Sequence, residues 1–237
     1  MLTSQVATAS RLFQGTANRR VGTRGTSDLT RCLHLPACTS LKKSSTTSIT
    51  EASHRQQLFF SNDDYILFLK NVRANIYPHC DILTWCLMPN HFHLMILANA
   101  ASCKERRSFG GEKPMQTLPY RIGIVLSSYS RQINNRQNTV GSRFQQKTKA
   151  KPMTEEMQQA NFTGTRGQYI INQMHYHHQN PYRAGLVKKL EDWRWSSFRD
   201  LAGLRAGSLC NKKLLMELTD CNPATFYEDT YAALGNQ

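Results

Sequence analysis

The chain has no Cys-x-x-Cys pair, although it carries 7 cysteines. Cys32, Cys38, Cys80, Cys86, Cys103, Cys210 and Cys221 are scattered and odd in number, which excludes a zinc ribbon or finger. At 237 residues a disulfide framework is not expected either, and the cysteines read as reduced thiols of a cytoplasmic protein. No apolar run approaches the ~18 residues that a membrane span needs. Acidic residues are scarce, 16 against 30 Lys and Arg, leaving a formal charge of +14 and a pI near 9.7. An excess of that size makes a polyanion, nucleic acid above all, the natural partner. The scarcity is sharpest at the start, where Asp28 is the only acidic residue among the first 50.

Residues 1–54 are rich in Ser, Thr and Arg and hold no helical or strand period. Such a segment buries too little apolar surface to fold alone, and it reads as a disordered or non-homologous extension. Its composition also resembles that of a transit peptide. A globular pattern occupies 55–203, and 204–237 reads as a helical C-terminal tail. Asn62-Asp63-Asp64 can cap a helix ended by Pro78. Cys80–Leu87 and His91–Ala98 read as the two strands of a hairpin around Met88-Pro89-Asn90, followed by a polar loop from Ala100 to Lys113. A second helix is expected over Pro119–Gln137, a basic extended segment over Gly141–Pro152, and a third helix from about Gly167 to Asn180, stopped by Pro181. Trp193-Arg194-Trp195-Ser196-Ser197-Phe198 would open an amphipathic helical tail. This succession predicts an α+β fold with helices on one face of an antiparallel sheet, for which a ferredoxin-like βαββαβ sandwich is the natural candidate. Its first strand is doubtful, because Ser48–His54 is a poor strand sequence.

The chemistry concentrates in two places. His91 and His93 stand two residues apart in an apolar strand, so both project to one face, as a pair of metal ligands would. Tyr176 and Asn180 stand four apart and share a helical face. An amide oxygen is an acceptable ligand for magnesium or manganese, and a nearby cation turns a phenol into a usable nucleophile. Tyr129, the rival nucleophile, has Ile133 at its i+4 position and reads as packing. Arg131, Arg136, Arg143, Lys147 and Lys149 read as a solvated basic face that binds phosphates. His177 and His178 read as solvated helix residues, while Trp193, Trp195 and Phe198 read as buried rather than base-stacking.

Met88-Pro89-Asn90-His91-Phe92-His93-Leu94, Tyr176-His177-His178-Gln179-Asn180-Pro181-Tyr182-Arg183-Ala184-Gly185-Leu186-Val187 and Trp195-Ser196-Ser197-Phe198 together resemble the single-tyrosine HUH transposases. The REP-associated tyrosine transposase (IS200-like) branch is the nearest in pattern, from about Arg55 to about Gly203. The resemblance implies a ferredoxin-like HUH endonuclease fold. It also implies a monomer or homodimer that cleaves and rejoins single-stranded, hairpin-forming DNA through a 5′-phosphotyrosine, using Mg2+ or Mn2+. His91, His93 and Asn180 would be the metal ligands and Tyr176 the nucleophile. The pattern departs in one place: Thr50-Glu51-Ala52-Ser53-His54-Arg55 stands where such proteins carry an Asn-Arg-Gly-like first strand. That departure leaves a catalytically inactive, DNA-binding descendant as the alternative. A metal-dependent hydrolase of small substrates is a third reading, disfavoured by the basic excess.

Overall fold

The computed structural model describes residues 46–52, 57–106, 114–144, 149–152 and 162–235, with the backbone alone described for 46–52, 106 and 149–152. It is a mixed α+β protein. Strands β1 (Thr46–Ala52), β2 (Cys80–Met88), β3 (His91–Ala98) and β6 (Lys149–Pro152) form one antiparallel sheet in the order β2-β3-β1-β6. The two-residue strands β4 (Glu105–Arg106) and β5 (Met115–Gln116) pair separately. The helices are α1 (Asn62–Asn75), α2 (Ala100–Cys103), α3 (Thr117–Gln137), α4 (Arg166–Arg183), α5 (Phe198–Leu201), α6 (Lys212–Thr219) and α7 (Phe226–Gly235). No described helix is long and apolar enough to cross a membrane.

Thr46–Ala52 corrects the doubtful first strand. It lies between β3 and β6, with Thr50 opposite His93 and Ala52 opposite His91. Its sequence lacks apolar alternation, but Thr46, Thr47, Ile49 and Thr50 are β-branched and suit a strand. Residues 1–45 and 53–56 lie outside the described residues.

Helices cover both faces of the sheet, not one as expected. Phe92, Leu94 and Ile96 of β3 pack with Tyr65, Phe68 and Val72 of α1 and Ile122, Leu126, Tyr129 and Ile133 of α3. Met95 and Leu97, on the other face, pack with Ile170 and Met174 of α4, Leu215 of α6 and Phe226 of α7. The signal was in the strand itself, since Leu94-Met95-Ile96-Leu97 is apolar without alternation, the mark of a strand buried on both sides. A bulge between Ile82 and Thr84 gives β2 an extra residue there, and Leu83 joins the α4 side of the core.

Capping fixes the helix starts. Asp64 accepts the Phe60 and Ser61 N–H groups at 2.9 Å each and pairs with Arg136 of α3 at 2.6 Å, so one carboxylate closes α1 and ties it to α3. Thr165 Oγ1 caps α4 by accepting the Gln168 N–H at 3.2 Å. Pro181 does not stop α4, which runs on to Arg183. A proline near a C-terminus forfeits one backbone bond and lets the last turn close around it, and the Ala184 N–H returns to the Asn180 carbonyl at 2.9 Å.

Trp193–Ser197 is not helical as expected, and a helix begins only at Phe198. The segment runs along the free edge of β2: the Leu87 N–H donates to Trp195 O at 2.8 Å, the Ser197 N–H to Trp85 O at 2.9 Å, and Ser196 bridges Cys86. The polar loop after β3 begins as α2, and residues 107–113 of it lie outside the described residues. Cys80, Cys86, Cys210 and Cys221 are free thiols, whereas Cys103 is disulfide-bonded, which corrects the reading of all seven cysteines as reduced.

Candidate active site

β3 and α4 build the site. β3 carries His91 and His93 onto the α4 face of the sheet, with Phe92 between them turned into the opposite core. α4 lies across that face with Tyr176 and Asn180 on one side. The buried face of α4 carries Ile170, Met174, His177, His178 and Pro181, at a helical spacing of four, three, one and three residues, with Tyr169, His175 and Gln179 buried beside them. That face presses the helix onto β2 and β3 and sets the rotation that brings Asn180 to His93.

The groups meet closely. Asn180 Nδ2 lies 3.2 Å from His93 Nε2. The His91 and His93 rings are 4.9 Å apart between centroids, and the Tyr176 ring stands edge-on to His93 at 5.7 Å. His93 is 3 % exposed and Tyr176 44 %, so the imidazole is sheltered while the tyrosine is open to solvent. Burial, then the neighbouring His177 and His91, hold His93 well below the ordinary histidine pKa, and burial lowers His91 too. Both imidazoles are therefore neutral near pH 7, the form that offers a lone pair.

The donors fit a hard divalent cation. His91 Nδ1 lies 2.7 Å from Asn90 Oδ1; with the ring proton on Nδ1 donated to that oxygen, the lone pair falls on Nε2. An amide's oxygen and nitrogen exchange on a half-turn of the side chain. That turn sets the Asn180 oxygen about 3 Å from His93 Nε2, the spacing of two adjacent ligands in an octahedron with bonds of ~2.1 Å. Among the described residues no three His, Cys, Asp or Glu side chains converge on a point; the Asn180 amide, 3.2 Å from His93, is the group that could serve as a third donor beside His91 and His93.

Two histidines expected in solvent are buried instead. His177 is stacked on His93 at 4.9 Å, its Nδ1 lies 3.0 Å from Thr84 Oγ1 of β2, and burial holds its pKa down to about 3. His178 Nε2 lies 2.8 Å from Ser197 Oγ, which also receives the Trp85 N–H at 3.0 Å. The helix is thus pinned to the edge of β2 through the Trp195-Ser196-Ser197 segment. Arg205 holds that segment from behind, donating to Asp200, to Arg194 O at 2.8 Å and to Ser196 O at 2.7 Å. The spacing of Ile170 and Met174 would have placed His177 and His178 inside; the Ser197 hub carried no local signal.

The proposed basic face divides. Arg131 is exposed on α3. Arg136 is exposed and paired with Asp64, whereas Arg143 is buried and bonded to Asn134 Oδ1 at 2.7 Å, so Arg143 is not part of a solvated face. Lys149 begins β6 opposite Thr50, which is itself opposite His93, about 10 Å away over two strand spacings. Lys147 lies outside the described residues. Tyr129 is buried, and its hydroxyl donates to Leu58 O at 2.8 Å. Trp195 and Phe198 are buried and Trp193 partly so, and the Trp193 indole N–H donates to Leu87 O at 3.1 Å.

No protein-family model and no curated protein matches the chain. A solved structure of "the REP associates tyrosine transposase bound to a REP hairpin" is similar to it at 14 % identity and a TM-score of 0.42, over 71 % of this chain and 87 % of that one. The likeness is distant.

Proposed function

We propose that the protein cleaves and rejoins single-stranded, hairpin-forming DNA through a covalent 5′-phosphotyrosine on Tyr176, with Mg2+ or Mn2+ held by His91, His93 and Asn180. The observation that carries this reading is the approach of Asn180 to His93 at 3.2 Å, with Tyr176 one helical turn away on the same face of α4. The succession β-α-β-β-α-β in the sheet order β2-β3-β1-β6 supports the ferredoxin-like architecture that the reading requires. A strand beside β3 favours an active enzyme over an inactive descendant, whose rationale was a missing first strand.

The chain's own groups divide the work. Tyr176 supplies the nucleophilic oxygen, which bonds to phosphorus as the bond from phosphorus to the 3′ oxygen breaks. The phenol gives up its proton and the 3′ oxygen gains one. The 5′ phosphate then stays on Tyr176 and a free 3′-hydroxyl leaves, ready to reverse the step and rejoin. A bound cation would withdraw charge from the phosphoryl oxygens and so favour attack at phosphorus. Asn90 holds the His91 ring, and Thr84 and the stacked His177 fix the wall behind His93. Exposed Arg131, and Lys149 at the far edge of the sheet, supply positive charge for the strand's phosphates.

Labelled hairpin DNA incubated with protein and Mn2+ tests the reading. A denaturation-resistant protein–DNA adduct is expected, lost in Tyr176→Phe and kept in Tyr129→Phe. Binding with no adduct would establish the inactive, DNA-binding alternative instead, and no binding at low salt would point to a small-substrate hydrolase.

A further inference from the structure

A second cleft opens on the α1/α3 side of the sheet. Gln57, Phe60, Asn134, Thr139, Val140 and Arg143 line a space of about 400 Å3. The Leu58 and Phe59 N–H groups both donate to Pro89 O, at 2.7 and 3.1 Å, so the wall carrying Gln57 and Phe60 is pinned to the β2–β3 turn. His91 follows that turn by one residue. The cleft therefore lies at the His91 end of the sheet, on the face opposite Tyr176.

Its chemistry suits a flat, unpaired base. Leu58 and Phe59 are buried, yet Phe60 beside them is 40 % exposed, and Val140 across the cleft is 97 % exposed. Arg143, only 7 % exposed, holds its guanidinium carbon 5.3 Å over the Phe60 ring. That cation is fixed by Asn134 Oδ1 at 2.7 Å and by Thr139 Oγ1, and Asn134 is itself fixed by donating to Gly141 O at 2.7 Å. These bonds tie down the loop after α3 and account for the burial of Arg143. They give no reason for the Phe60 ring and the Val140 side chain to be exposed beside it. Gln57 donates to Phe59 O at 2.7 Å, which uses one of its two N–H groups and leaves a donor–acceptor edge of the kind that pairs with bases. Five residues after Phe144 the chain enters β6 at Lys149, in the row that runs through Thr50 to His93.

We propose that this cleft holds one unpaired nucleobase of the DNA strand delivered to Tyr176. The base stacks on Phe60, Gln57 contacts its edge, and Arg143 supplies the fixed positive charge beside it. The inference rests on the proposed action on single-stranded DNA and adds a place where the protein senses bases as well as phosphates.

Fluorescence anisotropy without added metal tests it. The probes are a single strand of about 12 nucleotides and an abasic strand of equal length, offered to wild type, Phe60→Ser, Phe60→Trp and Gln57→Ala. Wild type is expected to prefer the strand with bases. Phe60→Ser should bind that strand about 5- to 150-fold more weakly, the range for losing one base–aromatic stack, with abasic binding unchanged, and Phe60→Trp should restore the preference. Equal binding of the two strands by wild type, or an unchanged preference in Phe60→Ser, overturns the cleft assignment. An adduct on Tyr176 alongside either result leaves the proposed function standing. Base preference that depends on Phe60, without any adduct, supports the cleft and refutes the cleavage.

Discussion

Ser196 and Ser197 are adjacent, chemically identical and both fully buried, yet truncating them should have unequal effects. Ser197 Oγ receives the Trp85 N–H at 3.0 Å, pairs with His178 Nε2 at 2.8 Å and lies 3.2 Å from Trp85 O. Ser197→Ala strands two buried polar groups, the Trp85 N–H and the His178 ring nitrogen; Trp85 O keeps the Ser197 N–H. At roughly 1–3 kcal/mol for each orphaned group, and less than full additivity between neighbours, the loss should be about 2–4 kcal/mol. That is a large share of the ~5–15 kcal/mol typical of a domain. Ser196 Oγ makes only two long local bonds, to Trp193 O at 3.4 Å and from the Phe198 N–H at 3.3 Å, so Ser196→Ala should cost less than about 1 kcal/mol. Urea unfolding followed by tryptophan fluorescence and by circular dichroism gives both values, with coincident curves confirming a single transition. Pairing Ser197→Ala with His178→Phe should recover part of the loss, because the stranded ring nitrogen goes with the ring. Equal, small effects of the two serine substitutions would refute the claim that the Trp-Ser-Ser segment locks α4 to β2.

Stability should also fall on acidification. His177 and His178 are held by burial at about 3 in the fold against an ordinary ~6.5 in the unfolded chain. Between those values the unfolded state binds protons that the native state refuses, so unfolding free energy should drop by roughly 1.4 kcal/mol per pH unit per histidine as pH falls through that window, and level off below it. Urea midpoints at pH 7 and 5 measure this, and equal midpoints would contradict the buried, neutral assignment. Tyr129→Phe removes the hydroxyl that donates to Leu58 O and should cost about 1 kcal/mol in the same assay while leaving adduct formation intact, since burial pushes that phenol's pKa up and away from reactivity. Asn180→Leu should weaken Mn2+ binding, read by calorimetry in the absence of DNA, at least tenfold; unchanged affinity would remove Asn180 from the ligand set.

The site was more legible than its support. His91, His93, Tyr176 and Asn180 declared themselves because strand period two and helix period near four each put a pair on one face, and packing two elements together was enough to join the pairs. Pro181 misled because proline's penalty was applied to a last helical turn, where little is lost. β1 was hard to read because a sequence such as Thr46-Thr47-Ser48-Ile49-Thr50 shows no alternation; its place comes from backbone pairing on both sides. The burial of Arg143 was not legible, since charge alone does not reveal partners such as Asn134 and Thr139, nor does it reveal the pairing of Arg136 with Asp64, 72 residues earlier in the chain. The lock on α4 joins Trp85, His178 and Ser197, and no local pattern couples residues that far apart.

The most direct test of the account is to digest the covalent complex formed with hairpin DNA and Mn2+ and to locate the nucleotide by mass spectrometry. A 5′-phosphonucleotide attached to the peptide carrying Tyr176, and absent when the metal is chelated, is the predicted result. A nucleotide on Tyr129, Tyr182 or any other residue, or no adduct from protein shown to bind the hairpin, would contradict it.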